Sequence, residues 1–254
     1  FATPLISSFG NPSLVPEFTN SIELNYTRRF KMGSLTSGVF YRRIKDQINR
    51  AVYIDRLDLN RIILTYDNFD DTSAYGIEVS TNLKPLKWWG INASFDLYQQ
   101  TQRGLTEKLL TDNSEATLDD IVVEELEVDN TAWNFRMNNT FNATEKLSFQ
   151  VFAFYRGQNR TIQFTAKPMY FINTGARYTF AQGNGTLSVN FNDVFNTMRF
   201  AFDGDQPFVQ NGEFNWESQN LFVGLAYRFG SGKNQAMKRK RRDKNTKEGG
   251  GGLF

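Results

Sequence analysis

Apolar and polar residues alternate with a period of two along most of this chain, which predicts strands with one apolar and one polar side. The first stretch sets Ile22, Leu24 and Tyr26 against Glu23, Asn25 and Thr27. The second sets Leu35, Val39 and Tyr41 against Thr36, Gly38 and Arg42 and runs on towards Ile48. A third presents Tyr75, Ile77, Val79 and Leu83 opposite Gly76, Glu78, Ser80 and Asn82. It is expected to end at Pro85, which has no backbone donor. The fourth opposes Ile91, Ala93, Phe95 and Leu97 to Asn92, Ser94, Asp96 and Tyr98. The fifth opposes Trp133, Phe135, Met137 and Phe141 to Asn134, Arg136, Asn138 and Thr140. In the sixth, Leu147, Phe149, Val151, Ala153 and Tyr155 face away from Gln150 and Arg156. In the seventh, Tyr170, Ile172, Ala176, Tyr178 and Phe180 face away from Asn173, Gly175 and Arg177. The eighth carries Leu187, Val189 and Phe191 and loses parity near Asn192-Asp193, which predicts a β-bulge. The ninth alternates Leu221, Val223, Leu225, Tyr227 and Phe229 with Asn220, Gly224, Ala226 and Arg228.

The connections alternate too. Tight turns are expected at Lys31-Met32-Gly33, Lys84 to Lys87, Thr144-Glu145-Lys146 and Ala181 to Gly185. Between them lie long polar segments from about Asn49 to Thr72 and from Gly104 to about Asn130, and a shorter one around Gly157 to Pro168. Ile62-Ile63-Leu64 is expected to extend a strand above the membrane, and Ile121-Val122-Val123 to form a short strand or helix at the barrel mouth. A soluble sandwich has no reason to gather its short turns at one end. An outer-membrane barrel does, because its periplasmic turns are short and its extracellular loops long. The expected fold is all-β: residues 1–229 supply about nine C-terminal strands of an antiparallel transmembrane β-barrel, and 230–254 a flexible basic periplasmic tail. Nine strands do not close a barrel of the usual even kind, so further strands are expected before Phe1.

Composition narrows the picture. Phe1 is followed by no basic segment with an apolar stretch, so no signal peptide is present, which for an exported protein fits a fragment or a mature C-terminal portion. No apolar run is long enough for a transmembrane helix. A mean hydropathy of -0.49 is compatible with a barrel, where only alternate residues meet lipid. The chain has no Cys, which excludes disulfides and thiolate chemistry, and no His, which removes the usual general base and the commonest metal ligand. Of its aromatics, Trp88, Trp89, Tyr178, Phe180, Tyr227 and Phe229 are expected at membrane–water interfaces. Catalysis and cofactors are not expected.

Glu23, Arg29, Arg42, Glu78, Asp96, Arg136, Arg156, Arg177 and Arg228 all fall on the inward parity. They read as a solvated lumen wall or as contacts to a plug; a substrate path lined by arginines is the sharper alternative. The acids Asp112, Glu115, Asp119, Asp120, Glu124, Glu125, Glu127 and Asp129 match no EF-hand spacing and read as a solvated surface, with calcium as the alternative. Asp203-Gly204-Asp205 and Gly183-Asn184-Gly185 read as turns. The run Lys238-Arg239-Lys240-Arg241-Arg242 lacks the aromatic or folded partner of a nucleic-acid site and reads as a membrane or envelope contact.

Several stretches resemble a known family. Gly10 to Leu24, GNPSLVPEFTNSIEL, resembles the "NPxLxPE…ELG" segment of TonB-dependent outer-membrane receptors, with Asn25 where that family usually has glycine. Phe40 to Ile48 is similar to its "FYRxxKDxI" strand, and Ser188 to Thr197 to its "vxDlFNT" segment. The ending Tyr227-Arg228-Phe229-Gly230 with a basic tail resembles the Bacteroidota outer-membrane β-barrel branch, which includes SusC-like proteins. The resemblance implies a 22-stranded barrel around an N-terminal plug, energised by TonB, and import of a glycan, peptide or metal chelate. It implies as partners outer-membrane lipid, the upstream plug and strands, TonB through the missing N-terminal region, and a surface lipoprotein or other envelope subunit. The competing readings are a barrel subunit or scaffold of a secretion, assembly or adhesion complex, an outer-membrane hydrolase without a Ser-His pair, and a soluble lectin-like β domain.

Overall fold

The computed structural model describes residues 6–111 and 116–229. The predicted period-two segments become nine long antiparallel strands: β2 (Phe18–Phe30), β3 (Gly33–Ile54), β4 (Ile62–Leu86), β5 (Trp89–Leu109), β6 (Ile121–Asn142), β7 (Leu147–Arg156), β10 (Met169–Phe180), β11 (Gly185–Asn192) and β14 (Asn220–Tyr227). They form one sheet in the order β14-β11-β10-β7-β6-β5-β4-β3-β2, in which chain neighbours are sheet neighbours apart from two strand pairs inserted in loops. The sheet is open, with β2 and β14 at its edges. A short strand, β1 (Ile6–Ser8), lies parallel to β4 at Ile62–Leu64, a pairing with no signature in the sequence.

Register sorts the faces. Leu24 pairs with Val39, Val39 with Ile77, Ile77 with Leu97 and Leu97 with Trp133, an unbroken apolar row across five strands. The neighbouring row of opposite parity runs Asn25, Gly38, Glu78, Asp96, Asn134, Arg156. Cross-strand partners share a face, so the sheet has one apolar and one polar side. On the apolar side no charged residue occurs from Leu83 to Ser73 in β4, from Ile91 to Thr101 in β5, or from Phe141 to Thr131 in β6. Each stretch is 11 residues long, about what a tilted strand needs to cross a bilayer core. Beyond it, two charged cross-strand pairs lie on the same side, Lys45 with Asp71 and Arg103 with Glu127. Arg43 binds Asp71 at 2.7 Å, and Arg103 binds Glu127 at 2.5 Å.

The tight turns all lie at one end. At Gly33, φ is +147°, and a Cβ would fall 1.9 Å from the carbonyl oxygen of Asn82, so only glycine lets β2 turn into β3 here. At the β10–β11 turn the positive φ values fall on Ala181, Gln182 and Gly183, two positions earlier than the Gly183-Asn184-Gly185 spelling suggests. Pro85 does not end β4, which continues to Leu86 through a register shift between Leu83 and Leu86.

At the other end the structure corrects the expected loops. Pairing of β3 with β4 continues to Ile54–Ile62, so most of 49–72 is strand. Pairing of β5 with β6 continues to Leu109–Ile121, which makes Ile121-Val122-Val123 the start of β6. The segments 157–168 and 193–219 hold a second, four-stranded sheet: β8 (Asn159–Arg160), β9 (Phe164–Ala166), β12 (Arg199–Gly204) and β13 (Gln210–Asn215), in the order β13-β12-β9-β8. Asp203 and Gly204 therefore end β12 rather than form a free turn. The predicted bulge at Asn192-Asp193 is the end of β11, where Asp193 turns the chain with φ +44°.

The second sheet covers the strand extensions, and burial concentrates there. Ala51, Phe69, Val128 and Ile162 form a core cluster, packed against Tyr53 and Leu126. Gln163 fastens it. Its side chain accepts from Val52 N at 2.8 Å and donates to Val52 O at 2.8 Å and to Thr106 Oγ1 at 3.1 Å. A Gln163→Leu change keeps the volume but strands those groups in a buried site, a loss of about 2–3 kcal/mol. Faster hydrogen exchange or cleavage confined to 157–168, with the membrane strands unchanged, is the expected result.

Candidate functional site

The polar face of the sheet carries the charges foreseen on the inward parity. Arg42 joins two acids from different strands: its Nη2 lies 2.8 Å from Glu23 Oε1 and 3.9 Å from Glu78 Oε1. Its guanidinium also lies 4.6 Å from the centre of the Phe40 ring. Asp96 accepts a 2.5 Å hydrogen bond from Asn134 Nδ2. These pairs are partly exposed, so each contributes little to stability; their effect is to hold a rigid polar surface.

Further along the face the arginines meet aromatics. Arg136 lies 5.6 Å over the Phe154 ring, and Phe154 packs on Phe171 at 5.1 Å. Arg156 lies 5.6 Å over Phe200 of β12, which ties the second sheet to the inward face. The Nε and one Nη of Arg156 are buried without a hydrogen-bond partner. A guanidinium in that condition calls for an acceptor. Arg177 and Arg228 are exposed near the short turns, away from this group. The structure thus brings Glu23, Arg42 and Glu78 together, sets Asp96, Arg136 and Arg156 beside them across β5 to β7, and separates Arg177 and Arg228.

The foreseen aromatics cluster at the short-turn end. Trp88 and Trp89 stack at 6.3 Å and both meet Phe141, at 6.2 and 6.1 Å. Trp89 donates Nε1–H to Asn139 at 3.1 Å. Phe180 lies 6.4 Å from Tyr178 and from Tyr227, and Tyr227 lies 4.8 Å from Phe229.

The acidic segment does not converge. Asp119 and Asp120 sit in a 3₁₀ turn, while Glu124, Glu125, Glu127 and Asp129 are spread along β6. Lys108 reaches Glu124 at 3.5 Å, and Thr101 donates to Asp129 at 2.5 Å. Among the described residues no group of three or more acids is placed to hold a metal ion. Asp112, Glu115 and the basic tail lie outside the described residues.

Three groups escaped the sequence reading. Glu107, buried, accepts from Ile54 N at 3.0 Å and from Arg56 Nη2 at 2.6 Å, closing the β3–β5 gap at the long-loop end. Tyr53 donates to Asp67; burial first, and that carboxylate second, push its phenol well above the ordinary value. Asp193 organises the β11–β14 connection. No spacing rule marks Glu107 or Tyr53, but Asp193 lies inside the Ser188–Thr197 segment already singled out.

The profile of the outer membrane protein beta-barrel family matches residues 1–227. The chain belongs to this family. As a member of the outer membrane protein β-barrel family it is an outer-membrane barrel protein. No curated protein sequence matches the chain. Among solved structures it is similar to the open form of the ferric-catecholate import receptor Fiu from E. coli K12, at 12% identity and a TM-score of 0.41, over 83% of this chain and 36% of that one. The chain therefore spans little more than a third of that receptor's length.

Proposed function

We propose that this chain is the C-terminal wall of a TonB-dependent importer, with the short turns in the periplasm and the long-loop end outside the cell. The observation that carries the reading is the polar face: paired charges, Arg-on-aromatic contacts and an arginine with two buried nitrogens that lack a hydrogen-bond acceptor, under a second sheet at the long-loop end. A face of this kind suits a lumen that holds a plug and passes a polar cargo. A glycan, a peptide or a metal chelate is the cargo class. Its partners are the plug and strands upstream, TonB through that upstream region, and a surface lipoprotein over the mouth.

The test is growth on single nutrients by a strain lacking the full-length gene, beside a strain lacking TonB. Loss of the same nutrient in both is expected, with restoration by the wild-type gene. Unimpaired growth on every glycan, peptide and iron chelate tried would overturn import. The second reading, a scaffold subunit of an envelope complex, is favoured by exposed apolar residues at the long-loop end, Leu57, Val209 and Phe195 among them. It would be supported if deletion dissociated an envelope complex while uptake stayed intact.

A further inference from the structure

The two ends of the strands differ sharply in charge. The rim formed by the short turns carries Arg28, Arg29, Lys31, Lys84, Lys87 and Lys146, all exposed, against the single acid Glu145. Arg177 and Arg228 add two more cations near the same end. Among the described residues none of these cations is held in an ion pair, whereas those of the strand extensions are largely paired with acids, as in Arg43–Asp71, Arg56–Glu107 and Arg103–Glu127. Charges left unpaired on one rim repel each other unless something anionic lies against them.

The same rim carries the aromatic cluster of Trp88, Trp89 and Phe141, and the Tyr178, Phe180 and Tyr227 group. Amphipathic aromatics settle at headgroup depth. Lys87 is the chain neighbour of Trp88, and the lysines of these turns have stems long enough to reach a phosphate at that level. The chain also leaves the sheet here. Arg228 N bonds to Asn184 O at 2.9 Å beside the β10–β11 turn.

We propose that the short-turn rim binds the phosphates of anionic phospholipid headgroups in the leaflet it borders. The lysine turns form the site, and the aromatic cluster sets its depth. The proposal rests on the barrel orientation given above. Clusters of this size beside a bilayer attract anionic lipid through a field that fades within a Debye length, so the binding weakens with salt.

The experiment uses full-length protein reconstituted into phosphatidylethanolamine vesicles with and without phosphatidylglycerol, then extracted gently for native mass spectrometry. Wild type is expected to retain phosphatidylglycerol in preference to phosphatidylethanolamine. The variant K31Q/K84Q/K87Q/K146Q, changed only at exposed positions, is expected to lose that preference by about tenfold or more. Equal retention of the two lipids by wild type, or undiminished preference in the variant, would overturn the proposal. So would wild type without lipid preference whose rim lysines cross-link to an acidic envelope protein. Heat-modifiable gel migration reads insertion separately. A chain that fails to insert defeats the barrel reading and this proposal together, while one that inserts without lipid preference defeats this proposal alone.

Discussion

Arginine at Val79 is expected to prevent most of the protein from assembling in the membrane, while lysine at Ser80, its chain neighbour, leaves assembly intact. Val79 lies on the apolar face, paired with Phe95 and flanked by Ile77 and Thr81, midway along the charge-free stretch of β4. A guanidinium there meets hydrocarbon at a cost of about 2–4 kcal/mol, or roughly 30-fold or more in the folded fraction. Ser80 points to the other side, between Thr36 and Ser94, where polar neighbours and Glu78 nearby receive an ammonium. Leu225→Arg supplies the graded control. Leu225 also faces the apolar side, but it is two residues from the short-turn end of β14, and near an interface the cost falls to about 0–1 kcal/mol. Membrane-fraction assembly by heat-modifiable migration should rank Ser80→Lys above Leu225→Arg, and both well above Val79→Arg. If Val79→Arg assembles as well as Ser80→Lys, the facing of the sheet is wrong.

The strands and their facing were legible because two solvents wrote them. Each membrane strand meets lipid on one side and a polar space on the other, so alternation survives in sequence across β2, β5 and β14 even where no core forms. The strand extensions were unreadable for the converse reason. Past Thr72–Gln102, β4 parts from β5, and the β3–β4 hairpin is buried on new surfaces by the second sheet. There Ala51 and Val52 are both buried although consecutive, and buried polar residues such as Gln102, Thr106 and Gln163 look in sequence like solvated loop. The strands of the second sheet in 157–168 are two and three residues long, too short to show any period.

The motifs behind the family resemblance turn out to be structural devices. Asp46 of the Lys45-Asp46 pair has φ +53°, and the ladder skips it between Lys45–Asp71 and Gln47–Phe69. The Gly10–Glu17 segment repairs the gap. Glu17 accepts from Ile48 N at 3.0 Å; Asn68 donates to Asp46 O at 2.7 Å and to Val15 O at 3.0 Å, and accepts from Val15 N at 2.9 Å. Asn11 bonds to Tyr66 O at 3.0 Å. An interruption that leaves donors and acceptors open is thus filled by a strap from the preceding segment, which explains why the Asn, the Glu and the Asp occur as a set.

Asp193 is the corresponding device at the far side of the sheet, and its removal is the other large effect expected. Its carboxylate accepts from Thr197 N at 2.9 Å, Met198 N at 3.0 Å and Ser218 Oγ at 2.6 Å, while its own N–H is taken by Asn173 Oδ1 at 2.8 Å. The residue is 1% exposed, so these donors have no water to turn to. Thr197 extends the set by donating to Tyr170 O at 2.8 Å. One side chain therefore ties the ends of β10, β11 and β14 and fixes where the 193–219 connection leaves the sheet. Asp193→Ala strands three buried donors, and bonds to a charged acceptor contribute about 1.5–3 kcal/mol each before relaxation; a net loss of about 3 kcal/mol follows. Asp193→Asn keeps the shape but turns one accepting oxygen into an NH₂ group that faces either the Met198 or the Thr197 amide, so it should cost about half as much. Thr197→Val, which keeps Asp193 and loses only the hydroxyl's bonds, should cost least. Urea unfolding of the assembled protein in detergent should place the three in that order, with faster proteolysis within 193–219 for Asp193→Ala. An Asp193→Ala protein as stable as wild type would mean that the turn is held by its backbone alone, and that the Asp-Val-Phe-Asn-Thr spelling has some other cause.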